Sequence, residues 1–186
     1  NDKPNILFAS RLVWEKNVQT LIDIYQQLKK SNIEYNLIIA GDGAAKEEAQ
    51  ALMPTAIFLG KLDHEELSKL YASSDVFLFT STSETYGNVV IEAMASGLPC
   101  VIANGGGSSS LIEHGRTGYK CMPNNALEYV YFIHKILSDN SIKQEFQQAG
   151  LSYVKKLDWG KLAETYFDDI QELASEPLNS MAWANN

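Results

Sequence analysis

At 186 residues and 20.7 kDa, with 45% hydrophobic and 20% charged residues, the chain has the size of one ordinary globular domain and is too apolar for intrinsic disorder. Fifteen Lys and Arg against 23 Asp and Glu leave a net charge of −8, which disfavours nucleic acid or an anionic membrane surface as the main partner. A small anionic ligand stays open, because a few local cations and backbone N–H groups can hold one.

The elements follow one another in a regular alternation. Ile6-Leu7-Phe8-Ala9 reads as a buried strand. Asn17 is placed to cap a helix whose apolar face is Val18, Leu21, Ile22, Tyr25 and Leu28. Leu37 to Ala40 is the second strand, stopped by Gly41-Asp42-Gly43, and a short helix over about 44–52 ends before Pro54. Ile57-Phe58-Leu59 is the third strand, closed by Gly60. Asp63-His64-Glu65-Glu66 has the form of a capping box and starts a helix through Tyr71. Val76 to Phe79 is the fourth strand, and a polar loop from Thr80 to Tyr86 leads to Gly87, which opens a helix through Ala95 with Gly97 as its stop. Pro99 to Ala103 is the fifth strand, followed by a Gly/Ser loop from Asn104 to Ser110 and one helical turn from Leu111 to His114. Tyr119-Lys120-Cys121 is a short sixth strand. From Ala126 the pattern is helical, over roughly 126–138, 141–156 and 159–174, and the tail 175–186 reads as disordered.

Strands that are apolar throughout must be covered on both faces, and the intervening helices supply the cover. The expectation is an α/β fold: a doubly wound, Rossmann-like parallel sheet of about six strands with a helical C-terminal segment. Cys100 and Cys121 fall in strand-like runs and read as buried free thiols. His64, His114 and His134 are far apart and form no metal motif. No apolar run reaches the roughly 20 residues of a membrane-spanning helix. Asn1-Asp2-Lys3-Pro4 is not a signal peptide and has no initiator Met, so a cytoplasmic piece of a longer protein is expected.

In such a sheet ligands bind at the carboxyl ends of the strands. Arg11 and Lys16 stand just before a helix N-terminus, where free N–H groups already favour an anion, so the two cations could clamp a diphosphate. The alternative is a pair of solvated surface charges, one of them matched to Glu15. Gly41-Asp42-Gly43 is not a dinucleotide fingerprint and reads as a tight turn. Gly60 and Lys61 could lie against a flat ring, since glycine permits close approach.

The most informative stretch runs from Ser83 to Pro99. Glu84 lies in the loop, the N–H groups of Gly87, Asn88 and Val89 open the helix, and Glu92 lies more than one turn inside it. Helical side chains lean toward the N-terminus, so one ligand could meet N–H groups at its phosphate and a carboxylate at a neighbouring hydroxyl. The interval alone is weak evidence: with 14 Glu in the chain, chance supplies about one pair eight apart, and Glu164 and Glu172 form another. Context distinguishes them, because only the first follows a strand and a glycine turn. The loop Asn104 to Ser110 reads equally well as a phosphate or sugar contact and as a flexible crossing. Neither a P-loop nor a GxSxG elbow occurs.

Assembled, these loops resemble the C-terminal, donor-binding domain of the retaining glycosyltransferases of group 1 (family 4), which have the GT-B architecture. The stretches that carry the resemblance are Ser10 to Asn17, Ile38 to Gly43, Phe58-Leu59-Gly60, Leu70 to Val76, Ser83 to Pro99 and His114 to Gly118, in family order. The resemblance implies a nucleotide-sugar-binding domain over 1–174, with the N-terminal acceptor domain outside this chain. It implies a hexosyltransferase-type enzyme using a UDP- or GDP-sugar, with no permanently bound cofactor and no metal. Arg11 and Lys16 would hold the diphosphate, Glu84 the transferred sugar, and Glu92 the ribose hydroxyls. Gly87, Asn88 and Val89 would meet the distal phosphate, and Gly60 and Lys61 would border the base. The acceptor would be a sugar, lipid or glycan bound by the missing half, with peripheral membrane association of the whole enzyme. This chain alone would bind donor weakly and transfer nothing. Trp159, Leu162, Tyr166 and Ile170 on one face of the last helix resemble the segment that packs back on the missing domain.

Three positions depart from the family pattern. Ser10 stands where a glycine is usual before the arginine, Ser110 where an acid is usual, and Asn88 where an apolar residue is common. Two further readings remain: a nucleotide-sugar epimerase of the same architecture and, outside the enzymes, a non-catalytic nucleotide-sugar-binding module. A flavodoxin-like interaction domain is a fourth reading and predicts no diphosphate affinity.

Overall fold

In the computed structural model the described residues are 3–31, 33–157, 160, 167–168 and 170–171. Six parallel strands form a single sheet: β1 (Asn5–Ala9), β2 (Asn36–Ala40), β3 (Ile57–Gly60), β4 (Val76–Phe79), β5 (Cys100–Ala103) and β6 (Gly118–Cys121). Their order is β3-β2-β1-β4-β5-β6. The helices are α1 (Val18–Leu28), α2 (Lys46–Leu52), α3 (His64–Ala72), α4 (Asn88–Ala95), α5 (Ala126–Ser138) and α6 (Asn140–Val154). The doubly wound parallel sheet expected from the sequence is the observed architecture.

Side-chain alternation along the strands builds two cores. Ile6, Phe8, Leu78 and Val101 pack beneath α1 and α5, with Leu21, Ile24, Tyr129 and Ile133. Leu7, Phe77, Phe79, Cys100 and Ile102 pack beneath α3 and α4, with Tyr71, Val90, Ala93 and Met94. Helix α6 joins the two layers, placing Phe146 in the first core and Tyr153 and Val154 against the second. Both cysteines are free and buried, as expected, and burial pushes both thiols upward.

Two-sided cover fails at one strand. Ile57 is 44% and Leu59 is 43% exposed: the helices leave one face of the edge strand β3 open, whereas β6 at the other edge is covered.

The local signals are mostly realised. Asp63 Oδ1 accepts from the Glu66 N–H at 2.8 Å and Glu66 Oε2 accepts from the Asp63 N–H at 3.0 Å, completing the capping box. Gly97, at φ 70°, ends α4 with N–H donation from Gly97 to Met94 and from Leu98 to Ala93, which is a Schellman closure. Asn17 stands at the start of α1 but does not cap it. It adopts the left-handed conformation (φ 57°), and its Oδ1 accepts from the Thr20 hydroxyl instead. The helical turn expected at Leu111–His114 lies earlier, as a 3-10 turn over Gly107–Leu111, and His114 forms a bridge with Gly118.

The chain divides into Asn1–Val154 and Lys155–Asn186. Of the expected last helix, Gly160, Phe167, Asp168, Ile170 and Gln171 are helical. Trp159, Leu162, Tyr166, the pair Glu164 and Glu172, and the tail 175–186 lie outside the described residues.

Candidate functional site

The strand order reverses between β1 and β4, so the loops leaving these two neighbours part company at the carboxyl edge of the sheet. The β1 loop passes through Arg11 and a 3-10 turn, Trp14–Lys16, before α1. The β4 loop carries Glu84 and reaches α4 through Gly87, whose φ of 92° is a left-handed conformation suited to glycine.

The two loops are bonded to each other. The Thr80 hydroxyl donates to the Lys16 carbonyl at 3.2 Å, and the Ser83 hydroxyl donates to the Glu15 carbonyl at 2.9 Å. Lys16 is only 6% exposed, and its Nζ lies 2.7 Å from Glu84 Oε1. A buried ammonium without a counter-charge would be costly, so Glu84 is the group that permits Lys16 to lie there. The sequence alternative of a solvated Lys16 paired with Glu15 is therefore not what the structure has. Arg11 differs: it is exposed and makes no ion pair among the described residues.

A cavity of about 370 Å³ opens between the loops, lined by Ser10, Arg11, Lys16 and the run Glu84 to Val89. The first N–H groups of α4 have no partner within the helix and face this end of the fold. A second cavity of about 610 Å³ adjoins it, sharing Ser10, Arg11 and Val89. Its further walls include Ala40, Gly41, Asp42, Lys61, Leu62 and Leu67. Asp42 is held below the usual carboxylate range by the Lys46 ammonium at 2.9 Å and by the Gly43 N–H at 2.8 Å.

Of the residues singled out in the sequence, Arg11, Lys16, Glu84, Gly87, Asn88 and Val89 share the smaller cavity and Lys61 lines the larger. Gly60 and Glu92 line neither. Gly60 ends β3 at φ 73°, and its carbonyl accepts from the Gly41 N–H at 2.7 Å. Glu92 lies one helical turn beyond Asn88, where Glu92 Oε2 accepts from the Tyr71 hydroxyl at 3.2 Å.

Sequence reasoning missed what most of the glycines do. A Cβ on Gly41 would sit 1.8 Å from the Ser10 carbonyl oxygen, and one on Gly43 would sit 2.4 Å from that of Leu12. The turn after β2 is thus pressed against the Arg11 loop, with the Leu12 N–H donating to Asp42 at 2.9 Å. Likewise a Cβ on Gly107 would lie 1.7 Å from the Thr85 carbonyl oxygen, and the Gly107 N–H donates to the Glu84 carbonyl at 2.7 Å. The loop 104–110 lines neither of these two cavities and braces the Glu84 loop. The available signal was the placement of each glycine cluster just after a strand adjacent to a site loop. Ser110, at the departure from the family pattern, donates its hydroxyl to the Gly107 carbonyl at 2.7 Å.

Among the described residues, no cluster of His, Cys, Asp and Glu is arranged to hold a metal ion, and no helix is long and apolar enough to cross a membrane.

Comparisons with known proteins bear on the family and the fold. The sequence model of the family described as "Glycosyl transferases group 1" matches residues 1–152. The sulfoquinovosyl transferase SQD2 of Arabidopsis thaliana is 36% identical over 164 residues, covering 85% of this chain and 31% of the relative. A GDP-mannose-dependent alpha-mannosyltransferase of Mycobacterium tuberculosis is 40% identical over 116 residues, covering 62% of this chain and 29% of the relative. The crystal structure of Anabaena Alr3699/HepE in complex with UDP and glucose superposes with a TM-score of 0.79 at 24% identity, covering 94% of this chain and 49% of the other. The chain therefore spans about a third of these curated relatives and half of that structure.

Proposed function

The chain belongs to the group 1 glycosyl transferases, and from that premise we propose that it is the donor-binding half of an enzyme that transfers a sugar from a UDP- or GDP-sugar with retention of configuration. The observation that carries this reading is the convergence of Arg11, Lys16 and the α4 N-terminus on one cavity at the point where the strand order reverses. Three sources of positive potential face a space of about 370 Å³, enough for a diphosphate. The neighbouring 610 Å³ cavity, walled in part by Leu62, Leu67 and Val89, suits a nucleobase, with Lys61 at its border.

Charge development supplies the mechanism. As the anomeric C–O bond breaks, the sugar becomes cationic and the leaving diphosphate gains negative charge. Arg11, Lys16 and the helix N–H groups stand where that charge grows, so they hold the transition state more tightly than the ground state. Losing one such contact costs about 3 kcal/mol of barrier lowering. Glu84 compensates Lys16 in the structure. An arriving diphosphate takes over that compensation and leaves Glu84 to accept hydrogen bonds from hydroxyls of the transferred sugar. Glu84 then orients the sugar, and retention follows from attack on the face from which the diphosphate departs. Glu92, one helical turn beyond the cavity-lining Asn88, is assigned the ribose hydroxyls in this reading.

The relatives bear on the donor. One is named for GDP-mannose and the Anabaena protein holds UDP and glucose, so both nucleotides belong in the test. The sugar, lipid or glycan acceptor, and any peripheral contact with a membrane, fall to the remainder of the protein in this reading.

A thermal-shift screen of nucleoside diphosphates and their sugar conjugates tests the proposal. At a hundred times its dissociation constant, a true ligand adds about 2.7 kcal/mol of stability. A rise in Tm with UDP or GDP and none with the free nucleosides is expected. No shift with any diphosphate would end the reading.

A further inference from the structure

Tyr71 is a core residue whose polar end is turned to a carboxylate. Its ring is 2% exposed and packs edge-on against Phe77, with ring centres 5.6 Å apart and planes at 71°. Its hydroxyl meets Glu92 Oε2 at 3.2 Å. Glu92 Oε1 accepts from no side chain among the described residues.

Position gives that contact a direction. Leu67 on α3 lines the larger cavity, and Tyr71 lies one turn deeper on the same helix. Asn88 on α4 lines the smaller cavity, and Glu92 lies one turn deeper there. Both helices begin at the site, and helical side chains lean toward the N-terminus. The pair therefore stands one turn along each helix from residues that line the two cavities, with the Glu92 side chain leaning back toward them. Glu92 is a flexible side chain on one helix, and Tyr71 is a ring locked between α3 and β4.

We propose that Tyr71 is a positioning residue that holds one oxygen of Glu92, so that the other is presented to a ribose hydroxyl and the site distinguishes ribonucleotides from deoxyribonucleotides. The inference rests on the donor-site reading above and adds to it the residue that makes the ribose contact selective. Without the Tyr71 hydroxyl the carboxylate is free to rotate, and the ligand must order it on binding. A hydrogen bond to a charged group is also lost. Tyr71 acts through Glu92 and touches no ligand itself.

The test titrates UDP and GDP, each with its 2′-deoxy and 3′-deoxy counterparts, into wild type, Tyr71→Phe and Glu92→Gln, with inorganic pyrophosphate as a control probe. Wild type is expected to prefer the ribonucleotide by roughly tenfold or more over at least one deoxy counterpart. Glu92→Gln should lose most of that preference. Tyr71→Phe should lose roughly three- to tenfold of it while keeping pyrophosphate affinity within about twofold of wild type. Phenylalanine preserves the ring, and circular dichroism confirms that each variant is folded. A Tyr71→Phe variant with the full wild-type preference would overturn the inference. So would a parallel loss of pyrophosphate affinity, which would mark Tyr71 as merely structural. Absence of any preference in wild type would instead remove Glu92 from the ribose site, and the inference with it.

Discussion

Single residues show how tightly the site loops are built. Gly107 has no room for a methyl group, since its Cβ would fall 1.7 Å from the Thr85 carbonyl oxygen. Gly107→Ala forces the Glu84 loop outward at a cost of about 3 kcal/mol, in the manner of other overpacked sites. Chemical denaturation should show that loss, and nucleotide affinity should fall with it. An alanine variant as stable as wild type would show that this brace is dispensable. Arg11 and Lys16 were legible in the sequence as cations before a helix, but their different states were not. Lys16 is buried against Glu84 and Arg11 is exposed. That distinction depends on a contact across 68 positions of chain, which no local pattern records. The glycines illustrate the same limit. Gly41 reads as a turn residue and Gly107 as part of a ligand contact or a flexible crossing, while the actual constraint on each is backbone from another loop.

At the scale of elements, short-range signals performed best. The Asp63 capping box and the Gly97 stop are written within a few residues of the helix ends they govern, and both are present. Asp63→Ala removes the acceptor of the Glu66 N–H and should destabilise the chain by about 1 kcal/mol, measured as a lower denaturation midpoint with an unchanged slope. No change would mean that tertiary packing alone sets the start of α3. Asn17 shows where such a signal misleads. Its residue type suits a cap, yet the left-handed backbone turns its side chain to Thr20 and to Asn124, across the β6–α5 connection. The exposed face of β3 was hidden for a related reason. A run of apolar letters looks the same in a strand covered by helices, as β6 is at the other edge, and in one left partly open, and only the tertiary packing separates them.

For the whole molecule, the alternation of strands and helices made the sheet legible, and the reversal of strand order made the location of the site follow from the sheet. The same burial that forms the two cores sets the alkaline limit of stability. Burial pushes Tyr35 up to about 12 and raises the Cys100 and Cys121 thiols and the Tyr71 and Tyr129 hydroxyls. All are raised above their unfolded values, so the folded chain keeps protons that the unfolded chain releases. Their contribution is complete below about pH 8 and is lost as the pH rises through the unfolded thiol and phenol values toward 12. Tm should decline steadily between about pH 8 and pH 11. A flat profile over that interval would contradict the burial of these groups.

The central claim is that loop cations and a helix N-terminus at the carboxyl edge of the sheet hold a diphosphate. Calorimetric titration of UDP and GDP into wild type and Arg11→Ala tests it most directly, because Arg11 makes no ion pair among the described residues and its removal leaves the Lys16–Glu84 pair in place. Measurable binding of at least one diphosphate to wild type, weakened roughly tenfold or more in the variant, is the expected result. Equal affinity in the two proteins, or none in wild type, would contradict it.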